Sequence, residues 1–197
     1  MLFRKLKSLA YNLNVYLKFL LGIPTPLNTP DRAFLELFLF DWVNNLQPKK
    51  ILFVGVAYYT AHYRKRFSNC KFYTCEKRFT PYALKNHFRC PIQNIASKTS
   101  IRFDCIFLNG VIGFGLNDID QIETSLLQIY SQLNLGGHLI IGVNDLSFVK
   151  SLLLDESAKF RHHFLVITEL PGFRTGYYLA NPANNHTFIV CKKSALL

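Results

Sequence analysis

Glu76 follows a strand-like segment over residues 70–75 and stands roughly 20 positions beyond Gly55, which itself closes an apolar run from Ile51. An acid at that distance, at the end of a second strand, is placed to accept hydrogen bonds from ribose hydroxyls. The turn between them limits what else the ligand carries. A dinucleotide-type turn uses three glycines so that a pyrophosphate can lie against the backbone, but here Gly55 is followed by Val56, Ala57, Tyr58 and Tyr59. A pyrophosphate has little room there. The segment points to a nucleoside ligand without one, away from NAD and toward S-adenosylmethionine.

Other chemistry-bearing residues are fewer. Asn109-Gly110-Val111 closes another apolar run, and two readings fit it: the Asn109 amide bonds an acceptor or a cofactor amine, or Asn-Gly is an ordinary turn. His62 lies shortly after the first turn, where an imidazole can serve as a base, while Tyr58, Tyr59 and Tyr63 either wall a pocket or pack. Arg64, Lys65 and Arg66 suit a phosphate-bearing substrate or a solvated helix face equally well. No metal is expected, because His162-His163 has no carboxylate or cysteine at ligand spacing. Cys70, Cys75, Cys90, Cys105 and Cys191 form no close pair and read as reduced core residues of a cytoplasmic protein. No Gly-x-Ser-x-Gly elbow is present, which excludes one hydrolase class.

These residues must be positioned by regular elements. The run 51–56 reads as a strand buried on both faces, followed by a short helix over 58–67 and a second strand over 70–75. Thr80-Pro81 starts another short helix, and 87–90 is a brief third strand. A fourth strand spans 103–109. The helix 118–133 places Ile122, Leu126, Ile129 and Leu133 on one face and ends at Asn134-Leu135-Gly136-Gly137. A fifth strand over 138–143 and a helix over 147–160 follow. Strands over 163–168 and 186–192 have no helix between them and must pair antiparallel. Upstream, Thr29-Pro30 starts a helix whose stripe is Ala33, Phe34, Leu37, Phe38 and Trp42. The prediction is a single α/β domain, a mostly parallel seven-stranded sheet with a C-terminal antiparallel hairpin and helices on both faces.

Residues 1–22 contain no acid but hold Arg4, Lys5, Lys7 and Lys18, with Leu2, Leu6, Leu9, Leu13, Tyr16 and Leu20 at helical spacing and Phe3, Phe19 and Leu21 nearby. This is a basic amphipathic helix, too polar to span a bilayer and too interrupted by Asn12, Asn14 and Lys18 for a signal peptide. Its stripe either caps the core or covers the cleft, or it docks on a membrane surface or partner. Residues 23–29 read as a linker and 30–197 as the folded domain. Half the 197 residues are hydrophobic and 18% are charged, which excludes global disorder. Lys and Arg outnumber Asp and Glu by 23 to 12, and the resulting +11 suits an anionic membrane surface or nucleic acid.

The strand and helix order, Leu135-Gly136-Gly137-His138-Leu139-Ile140-Ile141 before the fifth strand, and Phe103-Asp104 opening the fourth resemble the class I S-adenosylmethionine-dependent methyltransferases. The resemblance covers residues 30–193. It implies a Rossmann-like fold, S-adenosylmethionine as cofactor and a methyl acceptor that the sequence does not name. Carried over by position, Gly55, Val56 and Ala57 form the loop at the methionine part, Glu76 holds the ribose, and Asn109, Gly110 and Val111 form the methyl-facing edge. Gln93 or Asn94 stands near the adenine amino group, and the loop 171–178 shapes the acceptor pocket. Phe53 replaces an acid common in the family, and Ala57 and Tyr59 replace loop glycines. The stretches 52–55, 59–63 and 109–117 are also similar to a subgroup of methyltransferase-like proteins. The functions that follow are methyl transfer to a small molecule, a non-catalytic interaction or membrane-surface role on the same fold, or RNA methylation.

Overall fold

The computed structural model describes residues 2–83 and 85–195, with side chains from residue 6 onward. The expected stripe position Leu2, the neighbouring Phe3, the cations Arg4 and Lys5, and the segment ends Met1, Leu196 and Leu197 lie outside the described residues or their described side chains.

Strand β1 (Lys50–Val54) is apolar from Ile51 onward because both its faces are covered. It pairs in parallel with β2 (Lys71–Cys75), which carries the two-residue β3 (His87–Phe88) on its outer side. On the other side of β1 lie β4 (Phe103–Asn109) and then β5 (Leu133–Val143), both parallel. Two short segments, β6 (Phe164–Val166) and β7 (Tyr178–Asn181), run in line along the outer edge of β8 (His186–Lys193), which is antiparallel to them and to β5. The strand order is β3-β2-β1-β4-β5-β8-β6, with β7 also on β8. The reversed strand near an edge is the expected one. The eighth strand, β7, comes from the Gly, Pro and Asn-rich stretch that reads as loop in sequence, since its pairing with β8 is a long-range decision.

Period-two alternation divides the sheet's side chains between two cores. Leu52, Val54, Ile106, Leu108, Leu139, Ile141 and Ile189 face one, together with Ile122, Leu126 and Ile129 of the helix Ile119–Gln132. Ile51, Phe53, Phe107, Ile140, Phe188 and Val190 face the other, which is rich in aromatic rings.

The amino-terminal helix α1 (Leu2–Leu20) precedes α2 (Pro30–Phe34), a π-helical turn at Leu35–Leu39, and α3 (Phe40–Asn45). The π turn rotates the buried stripe. Leu35, Leu39, Phe40 and Val43 enter the core, whereas Leu37, expected inside, is 66% exposed and Ala33 is exposed too. Helix α4 (Ile119–Gln132) is capped by Asp118, whose carboxylate accepts from the Gln121 N–H at 3.1 Å.

Several expected helices are shorter or absent. Residues 58–67 form two 3-10 turns, Tyr58–Thr60 and Tyr63–Phe67, and Pro81-Tyr82 is a turn alone. The helix expected over 147–160 is α5 (Ser147–Val149) plus a π-helical turn, Lys150–Leu154. The Gly136-Gly137 pair lies inside β5 rather than closing α4. Leu133 is already extended, and a register shift against Phe103 and Cys105 accommodates the glycines. Asp104 fixes that irregularity: its carboxylate accepts from the Lys49 and Lys50 N–H groups at 2.7 and 2.9 Å and from the Asn134 amide at 2.7 Å. One side chain thereby joins the start of β1 to the start of β5.

Candidate functional site

The carboxyl ends of β1, β2 and β4 open into a cleft of 810 Å³. Gly55, Val56, Ala57, Glu76, Gly110 and Val111, six of the seven site residues expected from sequence, line it, as do Gln93 and Asn94.

The loop after β1 turns at Gly55 because its φ of 90° lies in the left-handed region that glycine tolerates. Close approach adds a second reason, since a β-carbon there would stand 3.3 Å from a Val111 methyl. The Gly55 N–H donates to the Cys75 carbonyl at 2.9 Å, which ties the loop to the end of β2. Glu76 completes the tie. Its Oε2 accepts from the Val56 N–H at 3.3 Å and its Oε1 from the Arg78 N–H at 3.0 Å. Thr60 closes the far end of the loop by bonding both the N–H and the carbonyl of Ala57 at 3.0 Å. Across the cleft, the Lys77 ammonium donates to the Gly115 carbonyl at 3.0 Å, linking the loop after β2 to the loop after β4.

Asn109 is the exception. It ends β4 on the aromatic side of the sheet, is 4% exposed, and does not line the cleft. Its Oδ1 lies 3.1 Å from His186 Nε2, and its Nδ2 is buried without a partner. His186 Nδ1 meets Asn144 Oδ1 at 2.5 Å. A neutral imidazole can satisfy only one amide oxygen, so in that state one of the two amides presents its NH2 to the ring. Burial pushes the His186 imidazole below its ordinary range and outweighs the opposing pull of Asp31, with Arg32 adding to the shift.

Asp31 and Arg32 extend the same polar cluster from the first turn of α2. The Asn181 amide donates to Asp31 Oδ1 at 2.9 Å. Burial raises the Asp31 pKa, but hydrogen bonds from Asn181 and Thr29, with the nearby His186, hold it below its ordinary value. Arg32 stacks 4.8 Å from the centre of the Tyr59 ring, donates to the Tyr63 hydroxyl at 3.3 Å, and sits 3.8 Å from the Asp31 carboxylate. Its guanidinium would stand 3.7 Å from a β-carbon on Gly110, so the cluster begins directly behind the cleft wall.

Asp31, Arg32, Asn144 and Asn181 carry no site signal in the linear sequence, and His186 carries only a faint one. The apolar residues around them read as ordinary elements, and only the register of β8 against β5 and the docking of α2 bring them together. A polar residue opening the last strand was the one visible hint.

The other candidates are placed elsewhere. Tyr58 lines the cleft, whereas Tyr63 is fully buried in the aromatic core. His62 pairs with Glu36 at 3.3 Å and lines a separate 500 Å³ cavity with Arg64 and Lys65. Arg66 pairs with Asp41 at 2.8 Å. In the loop 171–178, Phe173 is fully buried and stacks with Tyr178, so this loop fastens the aromatic core and does not line the cleft. His163 packs against Tyr130 and Phe160. All five cysteines are free, and among the described residues no group of three His, Cys, Asp or Glu side chains can hold a metal ion. Among the described residues no helix is long and apolar enough to cross a membrane.

No family model matches the chain, and no curated protein matches it in sequence. Solved structures do match. The N-methyltransferase NodS from Bradyrhizobium japonicum WM9, in complex with S-adenosyl-L-homocysteine, aligns over 92% of this chain and 100% of its own at 15% identity, with a TM-score of 0.56. The Burkholderia thailandensis 1,6-didemethyltoxoflavin-N1-methyltransferase, with 1,6-didemethyltoxoflavin and S-adenosylhomocysteine bound, aligns over 81% of this chain and 79% of its own, at 13% identity and a TM-score of 0.55. TrmN from Thermus thermophilus gives a TM-score of 0.56 at 10% identity, covering 79% of this chain and 48% of its own. The chain has the class I methyltransferase fold.

Proposed function

We propose that this protein is a methyltransferase that binds S-adenosylmethionine in the 810 Å³ cleft and passes its methyl group to a small-molecule acceptor. The observation that carries the reading is the pairing of the Gly55 loop with Glu76 at the ends of adjacent parallel strands. Glu76 fits a ribose. A carboxylate offers about four lone-pair sites, and two backbone N–H groups use two of them, leaving capacity for two hydroxyls. Gly55 fits the methionine part, because the groove it lines would narrow with any side chain there. Gln93 and Asn94, on the wall beyond Glu76, suit the adenine edge.

When bound, the cofactor supplies an electrophilic methyl on a sulfonium, and the protein's task is mainly alignment. Gly110 and Val111 shape the edge that faces it, and the buried Asn109 and His186 lie behind that edge on the aromatic side. Residues 30–197 form the working domain in this reading, with 23–29 as linker and 1–22 as an accessory helix, in the cytoplasm.

A second reading is a non-catalytic interaction protein on the same fold. The buried Phe53 favours it, since it stands among aromatic rings where the resembling family carries an acid that helps hold the loop or the cofactor amine. Titration calorimetry with S-adenosylhomocysteine separates the two. Micromolar binding that Glu76→Ala weakens by at least about tenfold supports the enzyme, and no heat at millimolar ligand supports the scaffold.

A further inference from the structure

Helix α1 turns its leucines away from the protein it packs on. Leu6, Leu9, Leu13, Leu17 and Leu20 recur three and four residues apart, within an arc of about 80° on the helix. They are 55, 67, 57, 49 and 60% exposed. The opposite face docks the helix. Val15 is 5% exposed, the Tyr11 hydroxyl donates to Tyr58 Oη at 3.3 Å, and Phe19 sets its ring against Tyr82 at 5.3 Å, with Tyr16 at the border of the leucine stripe reaching the same ring at 6.4 Å. Tyr58 and Tyr82 both line the cleft. The helix is therefore fixed at the cleft by its aromatic face, and the stripe expected to cap the core or the cleft faces outward.

Single exposed leucines are common on soluble proteins, but five in helical register form a continuous apolar face that needs a partner. Charge selects the partner. Residues 1–22 contain four cations and no acid, in a chain of net charge +11. A second copy would bring two such basic segments together, and nucleic acid would engage the cations but leave the leucines in water. An anionic bilayer suits both properties, since it takes the leucines at its acyl boundary while its negative surface attracts the basic segment and the basic chain that carries it. Two further exposed rings stand on the cleft wall, Phe79 at 74% and Phe114 at 67%.

We propose that the leucine face of α1 docks on anionic phospholipid membranes, bringing the cleft to the bilayer surface. The docking stands independently of what the cleft binds. Only its corollary, that the methyl acceptor is an amphiphile reached from the membrane, rests on the methyltransferase reading.

The test is cosedimentation of the full chain with phosphatidylcholine vesicles, with and without phosphatidylglycerol. Binding is expected only with phosphatidylglycerol, weakening as salt rises, and falling more than about tenfold in a Leu9→Glu, Leu13→Glu variant. Both leucines are exposed, so the variant folds, and an unchanged thermal midpoint checks this. Equal sedimentation with both vesicle types, or none, overturns the proposal. So does a wild-type dimer in solution that the same variant dissociates. S-adenosylhomocysteine titration of both proteins reports on the cleft separately, so a failed cofactor reading leaves the vesicle result standing.

Discussion

Asn109 and Gly142 occupy one space between them. A β-carbon on Gly142 would stand 1.9 Å from Asn109 Oδ1 and 2.8 Å from His186 Nε2, so the cluster behind the cleft exists only because residue 142 has no side chain. Gly142 lies opposite Asn109 in the β4–β5 register and opposite Phe188 in β8. Gly142→Ala must expel the amide or spread the strands, and is expected to destabilise by about 2–4 kcal/mol. Urea denaturation measures it. The double variant Gly142→Ala, Asn109→Ala should recover part of the loss, and full additivity would show that the two residues do not compete for space.

Glu76→Ala removes the carboxylate that holds the Val56 and Arg78 N–H groups and is assigned to the ribose. Charged hydrogen bonds are worth about 1.5–3 kcal/mol, so affinity for S-adenosylhomocysteine should fall by roughly 10- to 150-fold. Glu76→Gln, which keeps one acceptor oxygen, should lose less. Equal affinity in all three proteins would place the nucleoside elsewhere.

His186→Phe keeps the ring's volume and removes its two nitrogens, leaving the amides of Asn109 and Asn144 without their partner. The expected cost is about 1–3 kcal/mol of stability in urea denaturation. Because Asn109 and His186 do not line the cleft, affinity for S-adenosylhomocysteine should stay within about twofold of wild type. A large loss of affinity with intact stability would move His186 into the cofactor site.

Phe53 occupies the position where the resembling family carries an acid, and the structure shows why an acid is not tolerated here. Its side chain is 1% exposed, with the rings of Tyr63 and Phe107 at 5.2 and 5.7 Å. Phe53→Asp would bury a carboxylate among aromatic rings and is expected to cost more than about 4 kcal/mol, leaving little folded protein by circular dichroism.

The imidazole of His138 is pushed down to about 4 by burial, with Lys192 adding to the shift. A histidine depressed in the fold takes up its proton more readily when unfolded, so stability is complete above pH about 6.5 and declines as pH falls toward 4. His138 is only partly buried, and solvent screening reduces its share to on the order of 1–2 kcal/mol. His138→Gln should therefore be less stabilised than wild type by raising the pH from 4 to 7, as read from urea midpoints along that range. Identical pH profiles would assign the acid sensitivity to other groups, His186 among them.

Much of the fold is legible in the linear chain because β1, β4 and β5 are continuous apolar runs, buried on both faces, and α4 has a clean 3.6-residue stripe. Gly55 is legible because it directly ends such a run, and Glu76 because it follows a short β-propensity segment at the spacing a ribose-binding acid needs. Whatever depended on partners distant in sequence was not. Of the expected stripe on α2 and α3, Phe34, Phe38 and Trp42 pack on the aromatic core, but a π turn, invisible in composition, rotates Leu35 and Leu39 inward and Leu37 outward. Strand β7 exists only through its ladder with β8, and the glycines after α4 joined β5 because Asp104 and Phe103 stand opposite them.

The amino-acid sequence determined the alternation of strand and helix and the residues at the ends of β1 and β2, because local periodicity and turn chemistry act within a few residues. Which way α1 faces, and the meeting of Asp31, Arg32, Asn109, Asn144 and His186, were decided by the tertiary structure. Those contacts join positions 77 and 150 residues apart in the cases of His186 with Asn109 and Asn181 with Asp31, and no local preference reaches that far.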